Sequence, residues 1–133
     1  MKNAVLDAIF TRSSIRAYTP EKLTNEELDA LKQAALASPT ARNSQLQRYY
    51  FITCDKLNRE IEQAVVDTMI AQGEYPAEKR DKCKGAVLFE APLLVVIAVR
   101  SDNSWGEVDA GIAVENLAIA AKSMGLDLSL IHI

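Results

Sequence analysis

Residues 107–124 read "EVDAGIAVENLAIAAKSM", and Gly125 follows. Eleven of these eighteen residues are apolar, spread nearly all round a helical turn. The spacing predicts one long helix closed by the glycine. A helix that is apolar on every side belongs in an interior. A chain of 133 residues has few elements with which to surround it. Burial on all sides therefore predicts a second copy of the chain, a homodimer with this helix in its core.

Just upstream, "PLLVVIAV" (Pro92–Val99) is a continuous apolar run and reads as a buried strand. "SDNSWG" is a turn-rich connection between the two. Further back, "YYFIT" (Tyr49–Thr53) is aromatic and β-branched and predicts another strand. Asp55 is placed to cap a helix whose apolar stripe is Leu57, Ile61, Val65 and Met69, with Gly73 at its C-terminal end. The polar stretch "EYPAEKRDKCKG" (Glu74–Gly85) reads as a mobile loop. Near the start, Val5, Leu6, Ile9 and Phe10 mark an amphipathic helix over residues 2–11. "LTNEEL" opens a further helix, with Thr24 and Glu27 spaced as a capping box. Leu28, Leu31 and Ala35 give its inner face, and Ser38-Pro39 stops it. Helices of this length around few strands predict a single α+β domain over residues 1–133.

Composition narrows the function. Hydrophobic residues make up 49% and charged residues 25%, an ordinary globular balance. The net charge of −3 lacks the basic excess of a nucleic-acid binder. The longest apolar run is too short to cross a bilayer, which takes ~20 residues. Cys54 and Cys83 form no CxxC pair and read as reduced, structural thiols of a cytoplasmic protein. The start carries no secretory signal pattern. His132 is the single histidine, which argues against a metal site and a Ser-His-Asp triad. None of the five glycines forms a GxGxxG or Walker A loop. If the chain is an enzyme, a cofactor rather than side chains carries the bond chemistry.

Two polar clusters remain. In "RSSIR", Arg12 and Arg16 offer planar forks matched to phosphate oxygens, and Ser13 and Ser14 add hydroxyls. In an extended segment Arg12, Ser14 and Arg16 share a face and can converge on one phosphate monoester. Two solvated arginines at a helix end are the alternative. In "SPTARNSQ" (Ser38–Gln45), the amides of Asn43 and Gln45 could read the edge of a heterocycle, or the segment could be a plain helix-ending loop.

Taken in order, these pieces resemble the nitroreductase family of flavin enzymes. The resemblance rests on Arg/Ser/Arg after the first helix, then Ser-Pro-Thr-x-x-Asn-x-Gln before a "YFI" strand. "EAPLLVVIAV" and "DAGIAVENLAIAAKSMGL" complete it, and together they span nearly the whole chain. It implies a three-layer sandwich, with helices around a small mixed sheet, in an intertwined homodimer. It implies non-covalent FMN, NAD(P)H as electron donor and a small acceptor such as a nitroaromatic or quinone. By motif position, Arg12, Ser13, Ser14 and Arg16 would hold the phosphate and ribityl end. Pro39, Thr40, Asn43 and Gln45 would lie along the flavin, with both protomers contributing to each site. No catalytic acid or base is implied. The alternatives are another flavin reaction (dehalogenation, flavin fragmentation or dehydrogenation) and a flavin-binding module without turnover.

Two departures from the family pattern stand out. Leu46-Gln47 replaces the common Pro-Trp after Asn-x-Gln. "GLDLSLIHI" ends the chain where the family continues into a backbone contact to the flavin and an arm around the partner. The expectation is a domain lacking the usual C-terminal segment, with an incidental His132.

Overall fold

The computed structural model describes residues 3–131. Its elements run α1 (Ala4–Thr11), α2 (Asn25–Leu36), β1 (Arg48–Ile52), α3 (Asp55–Ala71), β2 (Leu94–Ala98) and α4 (Gly106–Ser123). Short 3-10 turns occupy Ala41–Asn43 and Ala77–Lys82. This is the α+β order expected. Among the described residues, no helix is long and apolar enough to cross a membrane.

The sheet is small, as the resemblance implies, but its two strands are antiparallel rather than mixed. β1 and β2 pair with Tyr50 opposite Val96, and parallel pairing is confined to an isolated bridge between Ser14 and Leu128. Residues two apart on a strand share a face. Tyr49, Phe51, Val95 and Ile97 pack on a core of Leu31 and Ala35 from α2 with Leu117 and Ala121 from α4. Leu94, pointing the other way, joins a second cluster of Val66 on α3 with Cys83, Val87 and Leu88. Helices thus flank the sheet on both sides. The second face is covered only at its Leu94 end, and Val96 is 37% exposed. The reading of β2 as buried on both faces is corrected for that reason.

The start of α2 and the ends of α3 and α4 follow the sequence closely. Thr24 Oγ1 accepts from the Glu27 N–H at 3.2 Å, and Glu27 accepts from the Thr24 N–H at 2.7 Å. The Thr24 N–H and the Thr24 hydroxyl, both donating to the Glu27 carboxylate, hold that carboxyl below its ordinary value. Gly73 and Gly125 both adopt left-handed φ, +77° and +78°. Each lets the next residue's N–H turn back: Glu74 donates to the Met69 carbonyl and Leu126 to that of Ala121.

Four other expectations are corrected. α3 is rotated about one residue from its predicted stripe: Asn58, Glu62 and Val66 are buried, while Leu57 is exposed. Two polar side chains point inward: Asn58 Nδ2 donates to the Ile52 carbonyl at 3.5 Å, and Glu62 is fully partnered by backbone. Glu62, 5% exposed, accepts from the N–H groups of Gly85, Val87 and Leu88 at 2.8–3.0 Å. Asp55 is not the cap of α3. Cys54 holds that position without a side-chain bond, and Asp55 pairs with Lys22, which holds its carboxyl below the usual range. The loop read as mobile is tied down by Arg80, whose guanidinium grips Asp67 at 2.7 and 2.9 Å, and by the buried Cys83. On α1, capped by Asn3, only Ala8 is buried, and the predicted stripe residues Val5, Ile9 and Phe10 lie in solvent. Lys2, the first residue predicted for that helix, lies outside the described residues, as does His132.

α4 runs within one residue of its predicted span. Ala113, Leu117, Ala118 and Ala121 are buried against the rest of the chain. Val108 and Ile112 are exposed, so a single copy does not surround this helix.

Candidate functional site

The first cluster begins where α1 ends. Arg12 turns extended (φ −61°, ψ 134°), and its N–H closes the helix on the Ala8 carbonyl. The segment then lies beside the chain that follows α4. Ser14 bridges Leu128, and the Ile15 N–H donates to the Leu128 carbonyl at 3.1 Å. The Tyr18 hydroxyl donates to the Ile15 carbonyl at 2.7 Å, and burial raises the Tyr18 phenol above its ordinary value. A short backbone pairing therefore fixes an extended run carrying Arg12, Ser13, Ser14 and Arg16. None of the ion pairs among the described residues uses Arg12 or Arg16.

The second cluster follows α2. Ser38 is buried; its Oγ donates to the Ala34 carbonyl at 3.1 Å and accepts from Asn116 Nδ2 of α4 at 3.0 Å. Beyond Pro39 the chain makes a tight 3-10 turn, with the Asn43 N–H on the Thr40 carbonyl. The Gln45 N–H then donates to Thr40 Oγ1 at 3.0 Å. Arg42, Asn43 and Gln45 all hold positive φ, between 48° and 57°. Left-handed backbone is uncommon for residues other than glycine and costs of order 1–3 kcal/mol each. Surrounding bonds must hold the loop in that shape. One of them is the buried Asp109 of α4, whose Oδ1 accepts from the Ala41 N–H at 2.9 Å.

A cleft of about 710 Å³ opens between this loop, α2 and β1, lined by Leu36, Ser38, Thr40, Gln45, Gln47 and Tyr49 among others. Burial raises the Tyr49 phenol, and the nearby Asp109 charge adds to that. Of the predicted residues, Thr40 and Gln45 line the cleft. Pro39 and Asn43 are exposed on the same loop. None of Arg12, Ser13, Ser14 or Arg16 lines it. The chain thus presents a guanidinium-and-hydroxyl segment suited to an anion and a separate amide-bearing loop suited to a heterocycle.

Sequence reasoning missed Asp109, Asn116 and Glu62 as organising residues. An acid in the first turn of a mostly apolar helix was the available signal for Asp109, and Glu107 in the same turn shares it. Gln47 was noted only as a departure; it is buried, and its Nε2 has no hydrogen-bond partner among the described residues.

The model of the nitroreductase family matches residues 9–133. The chain belongs to the nitroreductase family. Among relatives, Protein DrgA of Synechocystis sp. (strain PCC 6803) is 29% identical over 141 residues, covering 91% of this chain and 67% of that protein. An FMN-dependent nitroreductase from Clostridium difficile R20291 superposes with a TM-score of 0.84 at 27% identity, over 96% of this chain and 59% of that one. A nitroreductase from Desulfitobacterium hafniense DCB-2, crystallised with bound FMN, superposes with a TM-score of 0.78 at 29% identity, over 94% and 68%. The nitroreductase fold is therefore shared across nearly all of this chain. The chain spans between 53% and 67% of the length of the curated relatives it matches.

Proposed function

We propose that this nitroreductase-family chain is an FMN-dependent oxidoreductase that draws electrons from NAD(P)H and passes them to a small acceptor such as a nitroaromatic or a quinone. It works as a homodimer in the cytoplasm. The observation that carries the reading is the Arg12/Arg16 pair, which joins no ion pair among the described residues, set on one extended segment with Ser13 and Ser14 and pinned by the Leu128 bridge. Family membership and the FMN named for relatives 27% and 29% identical support it.

The residues fit the group. A phosphate monoester carries several oxygens and two negative charges at most, and two guanidinium forks with two hydroxyls match that acceptor set. In this reading Arg12, Ser14 and Arg16 bind the phosphate from one face of the segment, and Ser13 adds a hydroxyl beside the ribityl chain. Pro39 and Thr40 lie along the ring. The Asn43 and Gln45 amides orient it by offering both donors and acceptors. Since the two clusters do not share one cleft in a single chain, each complete site combines the segment of one protomer with the loop of its partner. FMN, when bound, supplies the two-electron chemistry; the chain's own part is binding, orientation and exclusion of water. No side chain is assigned as acid or base.

Titrating the purified protein with FMN and with riboflavin, followed by flavin fluorescence, tests this reading. FMN should bind more tightly, because hydrogen bonds between charged groups and phosphate contribute about 1.5–3 kcal/mol each. Arg12→Ala should weaken FMN by at least about tenfold and leave riboflavin nearly unchanged. Equal affinity for the two flavins in the unaltered protein would remove the phosphate role from "RSSIR".

A further inference from the structure

We propose that Asp109 is a positioning residue: through the backbone of Ala41 it sets the shape of the loop Pro39–Gln45 that faces the cofactor. The proposal rests on the flavin reading above for what the loop faces, and on geometry alone for what Asp109 does.

Asp109 is 2% exposed, and of the described side chains below 2% or so it is the one that carries a charge. A carboxylate is costly to bury, so a position that needed only packing would hold an apolar residue. Its place in the first turn of α4 offsets part of that cost, because the helix dipole favours negative charge there. One oxygen accepts from the Ala41 N–H, a bond reaching across 68 positions of sequence. The other has no partner among the described residues. Asn116 lies seven residues on, two helical turns along the same side of α4, and donates to Ser38. A polar seam on α4 therefore holds the loop near its start, at Ser38 and Ala41.

What is held is strained. Arg42 and Gln45 keep left-handed backbone that their side chains disfavour, on either side of Asn43, which tolerates it better. Apart from the Asn116 bond to Ser38 just before the turn, the other hydrogen bonds to it among the described residues are local: Asn43 N–H and Ser44 N–H fold back onto the Thr40 and Ala41 carbonyls, and Gln45 N–H onto Thr40 Oγ1. Local bonds fix the turn's internal shape but not where it sits on the molecule. Only bonds to another element do that, and Asp109 supplies the one at the turn itself. Freed of it, the turn can relax toward ordinary backbone and carry Thr40 and Gln45 away from the cleft.

Asp109→Asn keeps an acceptor for Ala41 without the charge, and Asp109→Leu removes the acceptor at similar size. The test measures FMN and riboflavin affinity by fluorescence, and hydrogen exchange at the Ala41 amide in the flavin-free protein. The unaltered protein should protect that amide. Asp109→Leu should release it and weaken FMN and riboflavin by the same factor, about tenfold. A shared factor marks the loop, whereas Arg12→Ala affects FMN alone. Asp109→Asn should restore both protection and affinity to within about twofold of the unaltered protein. Unprotected Ala41 in the unaltered protein overturns the proposal, even if Asp109→Leu fails to fold. So does an Asn variant as impaired as the Leu variant, or a Leu variant with unchanged exchange and affinity. If the unaltered protein binds neither flavin, the flavin reading falls, and the Ala41 exchange still decides whether Asp109 shapes the loop.

Discussion

A single side chain, Glu62, organises the chain between α3 and β2. Its carboxylate accepts from three backbone N–H groups, those of Gly85, Val87 and Leu88. This is the reason a buried acid is tolerated among Val66, Val87 and Leu88: the backbone donors replace the water it lost. Stranding a buried donor costs about 1–3 kcal/mol, and Glu62→Ala would strand two, those of Val87 and Leu88, besides the half-buried Gly85 N–H. Glu62→Ala is therefore expected to lower unfolding free energy by at least about 2 kcal/mol in urea, with Glu62→Gln intermediate because one amide oxygen remains. An unchanged urea midpoint for the alanine variant would show that the loop finds other acceptors. Nothing in the sequence announced this residue. Glu62 stands one position after Ile61 in an ordinary amphipathic pattern, and its partners lie 23–26 residues downstream.

At the scale of the element, what was legible depended on whether the cause was local. The Thr24–Glu27 capping box and the glycine ends of α3 and α4 act within one turn of chain, and all three form as read. Gly125 shows the physics cleanly. A Cβ there would meet nothing within 4 Å, so only the left-handed backbone resists a side chain. Gly125→Ala should then cost about 1 kcal/mol, measured by thermal or urea unfolding. A neutral outcome would mean that the C-terminal turn of α4 adopts another conformation. The inward face of α3 was not legible, because Leu57, Ile61, Val65 and Met69 mark an apolar stripe that the fold turns partly away from the core. Periodicity reports where apolar residues fall. It does not report that Asn58 and Glu62 will find partners in Ile52 and the chain before β2. The candidate site divides the same way. Its Arg and amide residues were visible as types suited to an anion and a heterocycle. The left-handed turn at Arg42–Gln45 and its tether to Asp109 were not, since they depend on α4 packing beside α2.

For the whole molecule, the apolar surface left outside is the informative quantity. Phe10 is 77% exposed, and Val5, Ile9, Trp105 and Val108 are also in solvent. α1 packs on α4, so much of this surface belongs to neighbouring helices. Burial against a second copy would take it out of water, and an obligate dimer typically hides over ~2,000 Å². Ile112, 36% exposed on α4, offers a clean test. A charge there meets solvent in a single copy, so Ile112→Glu should leave the protomer folded and dissociate the dimer. Sedimentation should show a dimer for the unaltered protein at micromolar concentration and a monomer for the variant. A folded monomer of the unaltered protein at every practical concentration would overturn the dimer reading. The sequence by itself determined the order of the elements, the capping box of α2, the glycine ends of α3 and α4, the α+β class and the family, because each is written in neighbouring residues or in motif order. Only the tertiary structure decided which face of α3 turns inward, that β2 is covered along one face and only at its Leu94 end on the other, and that the arginine-bearing segment does not line the cleft beside the amide loop. Those outcomes are set by bonds between residues far apart in sequence, such as Asp109 to Ala41 and Glu62 to Val87, and a pattern of neighbours carries no record of them.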